Sequence, residues 1–253
     1  MVTELFGTTF VPSATNMKKY DIVIKATETE HYYWVDGVWA PATTHILDMA
    51  APKEFGLIEF FKNNTAEDIK RISDTAKANG SAVHDACERL LNGEEVSLQD
   101  LDKRGKDAIV AFLLWYDEVK PRDYLTEHTV ASCSPLYAGT LDLVASIDGK
   151  RCIVDFKTNK GGIYFSNKLQ VMAYKKAYEE TTGEKIDATY ILRLGSQHKS
   201  GYEWKLVDDV TEADFVKVYD TYITMNGGKL PEPPEIEIYP EKIKLPRIDL
   251  RDL

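Results

Sequence analysis

Residues 139–157 constrain the fold more than any other stretch of this chain. They read Gly-Thr-Leu-Asp-Leu-Val-Ala-Ser-Ile-Asp-Gly-Lys-Arg-Cys-Ile-Val-Asp-Phe-Lys. Asp148-Gly149 at the centre is a two-residue hairpin signal, because a type I′ turn needs positive φ at both central positions. That turn pairs Ile147 with Lys150. Counting outward sets Asp142 directly opposite Asp155 as a non-hydrogen-bonded pair, the kind whose side chains approach most closely. Strand alternation gathers Leu141, Leu143, Ala145 and Ile147 with Cys152, Val154 and Phe156 on one apolar face and leaves Asp142, Asp155 and Lys157 on the other. Opposed like charges destabilise a sheet unless compensated. A divalent cation such as Mg²⁺, which prefers carboxylate oxygens, is the compensation this pair predicts.

At these residues the chain resembles the PD-(D/E)XK nuclease superfamily, with an aspartate, an intervening turn and Asp155-Phe-Lys157 on a second strand. The first motif, Gly139-Thr-Leu-Asp142, is similar to that of the RecB-like branch. Two more segments are similar in order and spacing: Gly80-Ser-Ala-Val-His84-Asp-Ala-Cys-Glu88 upstream and Gln170-Val-Met-Ala-Tyr174 downstream. Trp39-Ala-Pro-Ala-Thr-Thr-His-Ile-Leu47 resembles the opening segment of phage-encoded and mitochondrial-genome-maintenance exonucleases. The resemblance spans residues 31–225. Each motif alone is weak, and the weight lies in four occurring in order.

What the resemblance implies is metal-dependent hydrolysis of phosphodiester bonds in DNA, by an exonuclease acting on single strands or ends in recombination, repair or replication. Asp142 and Asp155 would hold one or two Mg²⁺ or Mn²⁺ ions, with the Phe156 carbonyl as a further oxygen ligand. The metal would polarise a phosphoryl oxygen and activate water. Lys157, on the same face as Asp155, would orient that water or offset charge developing on the phosphate. Alone, Asp155 and Lys157 would read as a surface ion pair worth under about 1 kcal/mol. The resemblance also makes His84 a metal ligand, and Glu127 an acid near the lysine or a second metal. Glu88, one helical turn after His84, is expected to fix the imidazole from outside the ligand shell. Gln170 and Tyr174, at i and i+4, would line the site and contact nucleic acid, flanked by Lys160, Lys168 and Lys175. Core packing is the alternative for Tyr174. A structure-specific endonuclease and a non-catalytic or partner-dependent DNA-binding scaffold remain alternative readings.

Composition sets the outer bounds. The chain carries 43% hydrophobic and 28% charged residues, the proportions of an ordinary globular protein. No apolar run is long enough for a membrane span, and Met1-Val-Thr-Glu-Leu-Phe-Gly lacks a signal peptide's pattern. Three cysteines, Cys87, Cys133 and Cys152, fit reduced thiols in a cytoplasmic setting and cannot supply the four ligands of the iron–sulfur cluster found in some RecB-like nucleases. The resemblance implies a bacterial or phage-infected cell. A net charge of −10 argues against a purely electrostatic nucleic-acid binder. Between Lys150 and Lys176, however, seven basic residues face the single acid Asp155, a patch that could attract a phosphate backbone or be a solvated lysine face.

Periodicity predicts an α/β (α+β) fold, a mixed central sheet flanked by helices. A single nuclease domain is expected over 1–226, with an N-terminal hairpin and helices over 31–120, a catalytic core over 121–226, and a proline-rich extended tail over 227–253. The hairpin turns at Asp36-Gly37. Helices are expected over 52–63, 65–91 and 98–119. Gly80 should break or kink the second, and Ile109, Phe112, Leu113 and Tyr116 should face the core of the third. Strands follow at 124–132, 137–147, 151–157, 188–194 and 202–206, with helices at 166–180 and 211–225. Gly139 and Thr140 would give phosphate close backbone access. Tyr32, Tyr33, Trp34 and Trp39 would stack bases or pack the hairpin. Five of the ten prolines lie in the tail, whose Ile236, Ile238, Ile243, Leu245, Ile248 and Leu250 could dock on the body or on a protein partner.

Overall fold

The computed structural model describes residues 20–26, 31–195 and 201–233. The extreme N-terminus, Ser196 and the tail from 234 onward, including its isoleucine and leucine anchors, lie outside the described residues. Two Asp-Gly pairs make the turns the sequence assigns to them: Asp36 and Gly37 have φ of 48° and 79°, Asp148 and Gly149 of 50° and 75°. The first joins β2 (His31–Val35) to β3 (Val38–Ala40). A strand not anticipated from sequence, β1 (Ile22–Ala26), pairs antiparallel with β2 and completes a three-stranded sheet.

Four helices follow: α1 (Thr43–Ala50), α2 (Phe55–Asn63), α3 (Ala66–Leu91) and α4 (Lys103–Val119). Thr65 caps α3 by accepting from the Asp68 N–H, with Glu67 and Asp68 in the first turn where the helix dipole favours acids. α3 runs unbroken through Gly80, contrary to expectation. A Cβ there would lie 3.4 Å from Thr158 Oγ1, an ordinary contact, so packing does not demand the glycine. α4 starts later than expected, where Asp102 caps the Gly105 N–H, and its buried stripe is also shifted. Ala108, Ile109, Ala111, Phe112 and Trp115 face inward, and Leu113 and Tyr116 are exposed. The small alanines let Phe112 and Trp115 turn toward Phe156, with ring centroids 5.7 and 6.4 Å away.

The second half forms a five-stranded sheet in the order β4-β5-β6-β7-β8. Its strands are β4 (Arg122–Cys133), β5 (Leu136–Ile147), β6 (Lys150–Lys157), β7 (Ala188–Leu194) and β8 (Tyr202–Leu206). Only β6 and β7 are parallel, and α5 (Phe165–Thr182) supplies the crossover that such a pair requires. α6 (Glu212–Met225) closes the described chain. The expected mixed α+β architecture is what is observed. α3 and α4 cover one face of the sheet through Val83, Cys87, Phe112, Trp115, Leu143, Val154 and Phe156. α1, α5 and α6 cover the other through Ile46, Leu169, Tyr178, Phe215, Val144 and Ile153. Each fully buried large side chain of this kind contributes about 1.5–3 kcal/mol. The small sheet leans on β4 and β5 through Tyr33, Val35, Ala40, Ala131 and Ala138. No helix among the described residues is long and apolar enough to cross a membrane.

Candidate active site

The register expected from the turn holds from Ile147↔Lys150 to Leu143↔Val154. Beyond that rung the ladder ends. A regular antiparallel ladder would give the Phe156 N–H to the Leu141 carbonyl; here it donates to Asp142 Oδ2 at 2.6 Å. On the other flank, pairing passes from Thr126↔Leu143 to His128↔Leu141 with no Glu127–Asp142 rung between them. Glu127 has φ of 44°, a left-handed conformation costing a non-glycine residue about 1–2 kcal/mol. Asp142 therefore stands in a gap in the sheet, unpaired on both sides. The gap also switches the strand's facing: Leu141 joins the core under α5, whereas Leu143, Ala145 and Ile147 pack beneath α3 and α4. The single apolar face expected for all four is thereby corrected. Irregularities of this kind re-aim side chains.

Freed from the ladder, Asp142 meets α3. His84 Nδ1 lies 3.1 Å from Asp142 Oδ1. The His84 ring sits edge-on to Phe156, which helps fix its plane. His84, Glu127 and Asp142 bring one potential ligand atom each within 4.8 Å of one another. Asp155 stands beside this trio rather than in it. It is 1% exposed, and the Lys157 ammonium lies 2.6 Å from its Oδ2. A carboxylate oxygen has a second lone pair beyond such a contact, so Oδ2 retains an unused acceptor direction. Lys157 in turn donates to Gln170 Oε1 at 3.1 Å, and Gln170 Nε2 donates to the Tyr174 hydroxyl at 3.1 Å.

The charges are strongly interdependent. Burial raises Asp155, the neighbouring Asp142 raises it further, and Lys157 only partly offsets them, so its carboxyl is pushed up to about 6. Burial and Asp142 likewise raise Glu127 to about 7 against the opposing pull of His84; its solvent-facing edge tempers the effect. Burial opposes ionisation of Asp142, yet His84, Lys157 and the Phe156 N–H together hold it below the usual carboxylate range. Burial works against the His84 imidazolium, and the Asp142 charge and hydrogen bond outweigh it, raising its pKa.

Several expected roles change. The imidazole's partner is Asp142; among the described residues Glu88 makes no hydrogen bond to it and influences the site only as a nearby charge on Glu127. The Phe156 N–H also donates to Asp142, a contact that leaves the expected role of its carbonyl untouched. Tyr174 is 4% exposed, too buried to touch nucleic acid directly. Its ring explains Gly139, where a Cβ would fall 2.6 Å from Tyr174 Cε1, so the glycine admits a ring rather than a phosphate. Lys168 is bound to Asp209 at 2.5 Å, and Lys175 lies 4.0 Å from Glu212. Arg151 and Lys176 pair with Glu184 and Glu180. The basic excess read along the sequence is thus largely neutralised by acids from elsewhere, and Lys160 stays exposed beyond the strand end.

Tyr33, expected among base-stacking aromatics, is buried, and its hydroxyl lies 3.2 Å from Thr140 Oγ1, which in turn is 3.4 Å from Thr129 Oγ1. This polar network, which ties β2 and β4 to Thr140 of β5, was not anticipated. The alternation of Tyr33 and Val35 on β2 is the signal that would have assigned Tyr33 to the inward face. Tyr32 and Trp34 are half-buried, with Lys25 over the Trp34 ring.

No protein-family model matches the chain. It is similar to the human mitochondrial genome maintenance exonuclease 1, at 27% identity over 158 residues. That relative is an exonuclease. The match takes in 56% of this chain and 44% of the relative, so this chain spans less than half of its length. Among solved structures, the crystal structure of SSO0001 aligns at a TM-score of 0.33 and 14% identity, over 48% of this chain and 58% of that one; so slight a likeness carries no argument.

Proposed function

We propose that this chain is a metal-dependent nuclease of the PD-(D/E)XK type, most simply an exonuclease acting on single-stranded or end-bearing DNA. The observation that carries the reading is the gap at Asp142. Three chain segments distant in sequence bring an imidazole and two carboxylates within 4.8 Å of one another there, next to a buried aspartate and a lysine. A purely structural ion pair would not require the strained Glu127 backbone or two carboxyls held above their usual range. The partial similarity to an exonuclease points the same way.

The donor set fits a divalent cation: His84, Glu127 and Asp142 offer one nitrogen and two kinds of carboxylate oxygen, and Asp155 Oδ2 has an acceptor direction to spare. An imidazole among carboxylates suits Mn²⁺ at least as well as Mg²⁺. A cation bound there would polarise a phosphoryl oxygen and acidify an attacking water. The chain's own residues supply the rest. Lys157, steadied by Asp155 and Gln170, presents a fixed positive charge to a phosphate whose negative charge grows during displacement. Asp142, kept ionised, holds His84 in one orientation. Burial and the Asp142 charge favour the protonated Glu127 carboxyl, so a cation bound there would displace its proton.

The test is cleavage of end-labelled linear and covalently closed single-stranded DNA with Mn²⁺, Mg²⁺ or EDTA, alongside Asp155→Ala. Metal-dependent loss of the linear substrate alone, absent in the variant, is expected. Cutting of both substrates would make the chain an endonuclease. Undiminished activity in Asp155→Ala would overturn the assignment of this site.

A further inference from the structure

A cleft of about 320 Å³ opens between the middle of α3, the first turns of α4 and the segment following β6. It lies beside the site described above. Thr158 of its wall follows Lys157 in the chain, and Val83 precedes His84. Arg104 Nη2 donates to the Thr158 carbonyl at 2.9 Å, which ties the start of α4 to the strand that carries Asp155 and Lys157.

In a chain of net charge −10, the wall collects Lys103, Arg104, Lys160 and Arg193 against the single acid Asp107. Two of these cations already have carboxylate partners: Lys103 pairs with Asp107 at 2.7 Å and Arg193 with Glu203 at 2.8 Å. Arg104 and Lys160 do not. Arg104 is exposed, and its one contact with Thr158 leaves most of its five N–H donors for a ligand. Lys160 is exposed and makes no ion pair among the described residues. A guanidinium and an ammonium facing one cleft suit a phosphate, the guanidinium as a planar fork and the ammonium as a point charge.

Asn159 narrows the class of ligand. Its Nδ2 donates to the Gly162 carbonyl at 2.6 Å, which fixes the amide's orientation, and its Oδ1 is buried with no hydrogen-bond partner. A fully deprotonated anion offers that oxygen no donor. A nucleotide unit offers both halves: phosphate oxygens for the cations and a base N–H for the amide oxygen. The volume is at the small end of ligand clefts, suited to one such unit and not to a duplex.

We propose that this cleft is a subsite for the nucleotide adjoining the scissile bond of a single nucleic acid strand, its phosphate held by Arg104 and Lys160 and its base edge met by Asn159. The assignment rests on the nuclease reading and extends it to Arg104 of α4 and to Asn159 and Lys160 after β6.

Binding of a fluorescein-labelled oligonucleotide of mixed sequence is measured in EDTA across a series of salt concentrations, for the full chain and for Arg104→Gln/Lys160→Gln. A single-strand phosphate contact contributes about 0.7 to the slope of log K against log salt, and both cations hold the same phosphate, so the double variant should lose about 0.7 from that slope and bind more weakly. Arg104→Lys, which keeps the charge, should retain most of it. Lys185→Gln/Lys217→Gln, an equal change of charge away from this cleft, should leave the slope unaltered. Wild-type affinity and slope in Arg104→Gln/Lys160→Gln would overturn the subsite. If that variant binds normally while Asp155→Ala abolishes cleavage, the subsite fails and the nuclease reading stands. If the unmodified chain neither binds nor cuts the oligonucleotide, both fail.

Discussion

At the scale of single residues, the proposed site holds more negative potential than its own cations balance, and this has a consequence for stability. Asp155 and Glu127 keep their protons to about 6 and about 7, whereas in the unfolded chain both ionise near 4. Between those limits the folded state binds more protons than the unfolded one, so stability falls as pH rises. His84 acts in the same direction: its raised pKa contributes stability that is complete below about 6.5 and lost as pH climbs through the folded value. Asp142 has the opposite sign, but its contribution changes only in more acid solution. The chain in EDTA should therefore melt at a lower temperature at pH 8 than at pH 5.5, and Mn²⁺ should recover the difference at pH 8. A melting temperature that rises with pH in EDTA would contradict the proton assignments. Gln170 permits a second test. It accepts from Lys157 alongside the Asp155 contact, so Gln170→Leu should lower kcat on the order of tenfold to a hundredfold, with KM little changed. Loss expressed in KM alone would mean that Gln170 contacts substrate instead of positioning the lysine.

At the scale of elements, two glycines behave differently, because one meets a ring and the other the end of a side chain. Gly139→Ala on β5 would drive a methyl group to 2.6 Å from Tyr174 Cε1, an overpacking that should cost about 1–3 kcal/mol in a denaturant titration. Tyr174→Phe would not relieve the clash, whereas Tyr174→Leu should. Gly80→Ala places its methyl group 3.4 Å from Thr158 Oγ1, an ordinary contact, and exchanges the poorest helix former except proline for the best. It should stabilise α3 by roughly 0.5–1 kcal/mol. The same contrast explains what sequence could reveal. Asp148-Gly149 is a local signal, and it specified the β5–β6 register rung by rung as far as Leu143↔Val154. The point where Asp142 leaves the ladder was not legible, since it depends on His84 from α3 and on the left-handed turn at Glu127. The stripe on α4 was misread because bulk was weighed above fit: Ala108 and Ala111 are buried, and Leu113 is not. Lys168 and Lys175 looked available because Asp209 and Glu212, the acids beside them, are far along the chain.

At the scale of the whole molecule, burial is distributed so unevenly that one part of the chain should open long before the rest. β5, β6 and β7 lie between two apolar layers, and most of their residues are buried. α2 has no buried residue, with Phe55, Ile58 and Phe61 all exposed, and α3 buries nothing before Val83. The nine residues of α2 are too few to be stable alone in water, where an isolated helix needs about 12–15 residues even with favourable sequence. What holds α2 and the first half of α3 is therefore a few polar contacts: the Thr65 cap, the Arg71–Asp68 and Lys70–Asp74 pairs, and one long-range bond from the Phe165 N–H to Glu54. Exposed pairs of this kind contribute a few tenths of a kcal/mol each and a cap about 1 kcal/mol. Amide hydrogen exchange should accordingly find residues 55–80 opening with only a small fraction of the global unfolding free energy, and β5 and β6 opening only with the whole domain. The His84–Asp142 bond anchors the opposite end of α3 to the sheet. Protection should thus rise sharply along α3 from Gly80 to Leu91, and His84→Ala should carry the low protection further toward Leu91. Uniform protection along all of α3, or protection of α2 equal to that of β5, would contradict this distribution of local stability.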